Sequence, residues 1–402
     1  MPRIPRNIRF ILASVFLDVL GIGLVYPILP ALLQQLSHAS AASQAAQYGA
    51  LVSMYAALQF LFAPLLGALS DAVGRRGVLL VSLGGLCAGY LGMGLAASLP
   101  ALFAGRALCG ISGSSLTVAN AYISDSVELS ERSTFFGLVG AVVGVGFVSG
   151  PLLGGFLGQW GFHAPLWAAA ILAALNWAYG LLVLPESLPA TARQPFSARK
   201  ASPLSWISEL RGTPELAHLA WVFFLSSLGL TGLYSLLVLY GQTQLHWSTA
   251  TTGLAMAVLG AGAAVFQGVV AKRLEARLGF AKAVTFAMLV GALALLGVAF
   301  FHSLVIVLAF LGIQALSNII FPLVQAEASR LSAAHQHGRV QGSFVALRSL
   351  AAILSPSVGA KLLDLGVAKH SWLPLPGLPF VGAALAYLVA AIIFRKGQAR
   401  LS

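Results

Sequence analysis

Long apolar runs alternate with short polar connectors along the chain. They lie at about 8–36, 48–70, 77–98, 100–123, 134–159 and 163–184, then at 216–241, 250–271, 279–301, 303–327, 338–365 and 373–395. Each run is long enough to cross a hydrocarbon layer, for which a helix needs roughly 20 residues. In lipid, only a helix or a closed barrel satisfies its own backbone. The strict alternation of barrel strands is absent, so the pattern predicts an all-α membrane protein of twelve spans. The polar stretch 185–215 separates the sixth run from the seventh. This predicts an N-terminal six-helix bundle at 1–184, a linker at 185–215 and a C-terminal six-helix bundle at 216–402. Within the linker, Pro203 to Leu210 reads as a short amphipathic helix on the membrane surface.

Composition sharpens this reading. Of 402 residues, 58% are apolar and 8% charged, where a soluble domain carries roughly a quarter charged residues. The net charge of +12 raises nucleic acid as a partner, but the basic residues sit at the ends of apolar runs and form no basic-aromatic module. Arg75, Arg76, Arg132, Lys272, Arg273, Lys282, Arg330 and Arg395 collect on one side, with Lys369 on the other. That bias predicts cytoplasmic termini and a cytoplasmic linker. The start resembles a signal peptide, yet its apolar run continues past Asp18 to about Leu36 without a small-residue cleavage site, so it reads as a retained first span. Cys87 and Cys109 lie inside spans as small packing residues; no disulfide framework or metal-ligand spacing exists. Nothing resembles a nucleophile with its base or a P-loop, which argues against an enzyme and against ATP as energy source.

The two halves look related. Phe136-Gly137 and Ser149-Gly150-Pro151-Leu152-Leu153-Gly154-Gly155 recur 205 positions later as Gln341-Gly342 and Leu354-Ser355-Pro356-Ser357-Val358-Gly359-Ala360. Parallel six-span repeats describe one large class of secondary transporter. Chance similarity between Gly-rich helices is the alternative at this point.

The stretch Gly67-Ala-Leu-Ser-Asp71-Ala-Val-Gly74-Arg75-Arg76 resembles the loop 2–3 signature of the major facilitator superfamily. Gly146-Phe-Val-Ser-Gly150-Pro151-Leu-Leu-Gly154-Gly155 resembles the fifth-helix signature of its drug:proton antiporters, and Arg106 with Gly110 resembles their fourth-helix signature. Leu17-Asp18-Val-Leu-Gly21-Ile-Gly23 and Pro27-Ile-Leu-Pro30 resemble the tetracycline efflux proteins in particular. So do His163-Ala-Pro, Leu184-Pro-Glu186-Ser, Phe321-Pro322 and Gln341-Gly342-Ser343. The resemblance spans nearly the whole chain. It implies two pseudo-symmetric bundles of the major facilitator fold in a bacterial inner membrane, monomeric, without cofactor and driven by a proton gradient.

For the loop signature, the plain reading is a charged turn in which Gly74 permits tightness and Arg75 and Arg76 anchor orientation. The resemblance implies a conformational latch. Asp71 would meet the N-terminus of the eleventh span, and Arg75 would reach Asp125 or Glu128. Ala72 departs from the family, which usually has a basic residue there. In the fifth span, the glycines leave a smooth face for close packing and Pro151 removes a backbone donor. The resemblance adds a leak-proof contact between halves.

Intramembrane charges are costly and point to function. Asp18 is the one acid in the middle of a span, with Arg106 in the fourth span and Arg348 in the eleventh. Asp18 is the expected proton-coupling acid and Arg106 its tuner; a pair that only fixes packing is the alternative. Arg348 stands where relatives have a small polar residue. It would favour an anionic or zwitterionic cargo, or else snorkel or pair with Glu327. Candidate cargo-lining residues are Tyr55, Gln59, Tyr234, Gln267, Gln314 and Asn318, although intramembrane amides also bridge helices. Acids that the tetracycline family carries in its third and ninth helices read here as Gly89 and Gly291, and its eighth-helix histidine as Ala263. The leading expectation is a secondary transporter exporting amphipathic small molecules, tetracycline-like or broader, by alternating access. The others are export of an anionic metabolite or siderophore, and a non-transporting membrane receptor.

Overall fold

Twelve helices long and apolar enough to cross a membrane make up the fold, seen in a computed structural model that describes residues 5–37, 41–113, 115–128, 131–197, 214–332, 337–367 and 375–401. They are α1 (Asn7–Ser37), α2 (Ser43–Val73), α3 (Arg75–Gly94), α4 (Leu99–Ser126), α5 (Thr134–Trp160), α6 (Ala164–Val183), α7 (Pro214–Thr243), α8 (Thr249–Leu278), α9 (Phe280–Phe300), α10 (Leu304–Leu331), α11 (Val340–Val367) and α12 (Leu378–Gly397). The amphipathic helix expected at 203–210 lies outside the described residues. Large apolar side chains point outward, among them Leu182 at 86% exposure and Val305 at 76%. Water would penalise such a surface; hydrocarbon does not.

Several spans are less regular than their apolar runs suggest. In α1 the α-helix Arg6–Val25 gives way to a 3₁₀ turn, Tyr26–Ile28, before Leu29–Ser37. Pro27 and Pro30 lack the N–H that an unbroken helix needs there. α4 changes at Gly113, between Leu99–Ser112 and Ser115–Ser126. α10 contains the 3₁₀ stretch Ala315–Ile319, and Asn318 lies 205 positions after Gly113, so the two breaks occupy equivalent places in the repeat. α8 contains a π turn at Phe266–Val270, and it continues through Lys272, Arg273 and Arg277, which the sequence had placed in a connector. The segment Ala271–Leu278 alternates charge and apolarity at helical spacing, which extends the helix out of the apolar run.

The residues gather into two compact units. One comprises Met1–His38, Met54–Pro203 and Ser248–Leu254; the other Ala39–Ser53, Leu204–Trp247 and Ala255–Ser402. In the first, α1 packs on α5 and α6, and α3 on α4 and α6. Ile8, Val15, Leu83, Tyr122 and Phe135 fill its core, and Ser14 donates to Asn176 Oδ1 at 2.7 Å. In the second, α7 packs on α11 and α12, and α9 on α10 and α12. Phe223 makes edge-on contacts there with Phe321 and Phe344, at 5.2 and 4.8 Å. The same pairing of successive helices in both units is what an internal six-helix repeat produces.

The helix starts of α2 and α8 belong to the unit that their remainder does not. Tyr48 of α2 donates to the Ser235 carbonyl at 2.7 Å, and Ser53 bonds Ser357 at 2.8 Å. A Cβ on Gly49 would lie 2.9 Å from Ala360 Cβ. Thr249 of α8 donates to the Gly155 carbonyl at 3.0 Å, and a Cβ on Gly155 would press on the Thr249 backbone.

Candidate functional site

In the first unit the break in α4 organises the site. Its last carbonyl before the break, on Gly113, accepts from Gln59 Nε2 of α2 at 2.8 Å. Beyond the break, Ser115 donates to Asp18 of α1, whose side chain is half-buried. Before the break, Arg106 is fully buried, and none of its three guanidinium nitrogens has a hydrogen-bond partner among the described residues. Two rings face it, Tyr55 at 4.0 Å and Tyr26 at 5.7 Å, and the Cys109 thiol lies within its electrostatic reach. A desolvated cation–π contact contributes about 2 kcal/mol, while burying an ion costs several. The rings therefore do not neutralise Arg106, and the site keeps positive character. Asp18 and Arg106 both lie within electrostatic reach of Tyr55.

The loop signature folds differently from a loop. Asp71 sits in the last turn of α2, Gly74 alone separates the helices, and Arg75 opens α3. Gly74 has φ 110°, which side chains disfavour. Arg75 is buried and donates to Asp125 at 2.8 Å, Asp71 at 2.5 Å and Ser70 at 2.7 Å. Glu128 is exposed and enters no ion pair among the described residues. Glu186, just past α6, accepts from the Arg75 and Arg76 backbone N–H groups at 2.8 and 3.2 Å. A carboxylate thus occupies the positive end of α3. In return, Arg76 donates to the Leu184 and Leu181 carbonyls, at 2.7 and 3.0 Å, at the negative end of α6. Gly67 is not demanded by packing, since a Cβ there would lie 3.6 Å from Thr117. Glu186 went unassigned in the sequence because its two partners lie more than a hundred residues away.

On α5, glycine is required by α1. A Cβ on Gly146 would lie 3.0 Å from Val19 Cβ, and one on Gly150 2.8 Å from Gly23 Cα; on Gly154 it would collide with the Leu24 backbone. The Pro151 carbonyl is in turn approached by Gly253.

In the second unit, Gln314 Nε2 donates to Ser317 Oγ at 3.1 Å, and Ser317 bonds Tyr387 at 3.0 Å. Asn318 bonds back to the Ala315 carbonyl at 3.1 Å, closing the 3₁₀ turn. Arg348 lies over the Phe321 ring at 5.3 Å, with Tyr234 and Tyr387 within electrostatic reach. It does not pair with Glu327, which takes both oxygens to Arg330 at 2.6 and 2.9 Å. Gln267 is exposed within the π turn of α8. Among the described residues no group of three or more potential metal ligands forms.

A family model described as Major Facilitator Superfamily matches residues 11–356. The chain belongs to this superfamily. Among curated relatives, Tetracycline resistance protein, class C, of Escherichia coli is 38% identical, over 96% of each chain. Tetracycline resistance protein, class G, of Vibrio anguillarum is 35% identical, again over 96% of each. A solved structure of the human organic anion transporter MFSD10 (TETRAN) superposes with TM-score 0.71 at 25% identity, covering 98% of this chain and all of that one. This major facilitator protein is a multi-pass membrane transporter, not an enzyme.

The two glycines that stand where tetracycline relatives are expected to carry acids are close-packed. A Cβ on Gly89 would lie 2.5 Å from Cys109 Sγ and 3.0 Å from the Gly105 carbonyl; one on Gly291 would lie 2.9 Å from Ser317 Cβ. Restoring either acid requires helices to part. Gly89→Asp and Gly291→Asp are each expected to lose about 1–3 kcal/mol from overpacking alone, read as a lower thermal unfolding midpoint in detergent. An unchanged midpoint would show that the helices yield freely.

Proposed function

We propose that the protein is a proton-coupled exporter of amphipathic small molecules in a bacterial inner membrane, with both termini cytoplasmic, acting by alternating access. The observation that carries this reading is Asp18: an acid inside a span, held by one hydroxyl, in the same bundle as the uncompensated Arg106. Such an acid can exchange a proton each time the site changes its exposure. Asp71, Arg75, Arg76, Asp125 and Glu186 form the latch that favours one conformational state, and Gly150, Pro151, Gly154 and Gly155 seal the packing of α5. The cargo-lining candidates are Tyr55 and Gln59 in the first unit and Tyr234, Gln267, Gln314 and Asn318 in the second. The tetracycline resistance relatives support drug export. A weaker second reading, export of an anionic metabolite or siderophore, draws on Arg106 and on the human organic anion transporter, which is less similar than those relatives.

The test is growth and efflux in drug-sensitive cells, with and without a protonophore. Expression is expected to lower the accumulation of tetracycline or another amphipathic drug, and the protonophore to abolish the difference. Efflux that persists without a gradient would exclude proton coupling. Transport confined to small organic anions would favour the second reading.

A further inference from the structure

We propose that Arg348 is a cargo-binding residue that selects an anionic group on an aromatic or apolar molecule. This names a cargo class for the exporter and rests on that reading. Arg348 lies about 12 Å along α11 from Val340 at 1.5 Å per residue. Its guanidinium is directed to Phe321, about 9 Å back along α10 from the Glu327–Arg330 pair. It therefore does not reach for the charged end of α10. Nor does the nearest acid on that helix serve it, because Glu327 is bound by Arg330 in a two-point fork.

The side of α11 that carries Arg348 is a packed side. Residues four before, seven after and eleven after it follow the same helical stripe. Phe344 packs on Phe223, Ser355 bonds Thr231 at 2.8 Å, and Gly359 abuts Leu236, all on α7. Arg348 is nevertheless exposed, so it faces open space on the packed side of α11. An exposed cation there, with no counter-ion among the described residues, is a seat for an anion.

The surroundings specify more than charge. Phe321 provides a ring face beneath the guanidinium, and Tyr234 and Tyr387 add hydroxyls. The Ser317 hydroxyl joins Tyr387 to Gln314, so the tyrosine is tied to α10. A cation with no acid partner among the described residues, flanked by two tyrosine hydroxyls, matches a ligand with an anionic oxygen and a neighbouring hydrogen-bonding group. The Arg fork suits a planar carboxylate, phenolate or enolate.

Two dyes sharing a tricyclic ring system test this: anionic fluorescein and a cationic rhodamine ester. Binding to the purified full-length protein is measured by fluorescence anisotropy, and efflux in energised inside-out vesicles. Arg348→Gln is expected to weaken fluorescein at least about tenfold, one unit of 1.4 kcal/mol, while changing rhodamine less than twofold. Arg348→Lys is expected to recover part of the loss. Arg330→Gln removes the same charge elsewhere in the unit and is expected to leave fluorescein affinity within twofold. Equal loss for both dyes, equal loss in Arg330→Gln, or no fluorescein binding to the unaltered protein would overturn the proposal. Rhodamine binding and thermal unfolding unchanged in Arg348→Gln establish that the variant is folded. Failure of energised vesicles to move either dye counts against export itself, and the binding measurements still decide Arg348.

Discussion

Replacing Asp18 by Asn is expected to leave a folded protein that no longer exports against a gradient. Asn keeps the shape of the side chain and an oxygen to accept from Ser115. The change in stability should therefore stay near 1 kcal/mol, the scale of one hydrogen bond. What it loses is the exchangeable proton. Efflux in energised vesicles should fall to the level of unaltered protein treated with a protonophore, while exchange of labelled cargo down its own gradient continues. Asp18→Glu, which keeps the proton but lengthens the reach to Ser115, should fall between. Gradient-driven export by Asp18→Asn at the normal rate would remove Asp18 from the coupling step. Loss of both export and passive exchange would point instead to a structural role.

Arg75→Gln should be the most damaging change outside the charges in the middle of the spans. Arg75 ties α2 to α4 through Asp71 and Asp125 and lies almost out of solvent. Removing it leaves two acids facing each other without their shared cation. The expected cost is about 1–3 kcal/mol, between the limits for exposed and buried pairs. Lysine should not rescue it, since a single ammonium cannot present the planar fork that reaches both acids and Ser70. A double-mutant cycle with Asp125→Asn should show a coupling energy well above that with Asp71→Asn, because Asp71 is 39% exposed and water screens it. Export should fall together with the thermal midpoint. A variant as stable and active as the unaltered protein would show that the cluster holds neither the fold nor a conformational state.

Charge against an apolar background is the easiest signal to read in such a chain. Asp18, Arg106 and Arg348 stood out for that reason, and twelve spans followed from length and hydropathy. Hydropathy does not register hydrogen-bonding pattern, however. The breaks at Tyr26–Ile28, Gly113 and Ala315–Ile319 lie inside runs whose mean hydropathy is that of a single span, and these breaks bring Tyr26 beside Arg106 and Ser115 to Asp18. The amides were ambiguous for a related reason. Gln59 spends its donor on the carbonyl that the α4 break releases, and Asn318 does the same within α10. Glu186 was visible only as one letter of a resemblance, since its value depends on where α3 begins. Gly89 and Gly291 read as missing acids; their neighbours show them also as points of helix contact.

The early turns of α2 and α8 impose an order on biosynthesis. Tyr48 must wait for Ser235, a partner 187 residues later in the chain. At 5–20 residues per second that is roughly 10–40 s on the ribosome. Gly155 waits through 94 residues for Thr249. During that interval Gly155 lacks its Thr249 contact and the start of α2 lacks its bonds to Ser235 and Ser357. Neither unit can be completed from one end of the gene alone. A chain cut within the linker should yield fragments that survive only when both are made in the same membrane.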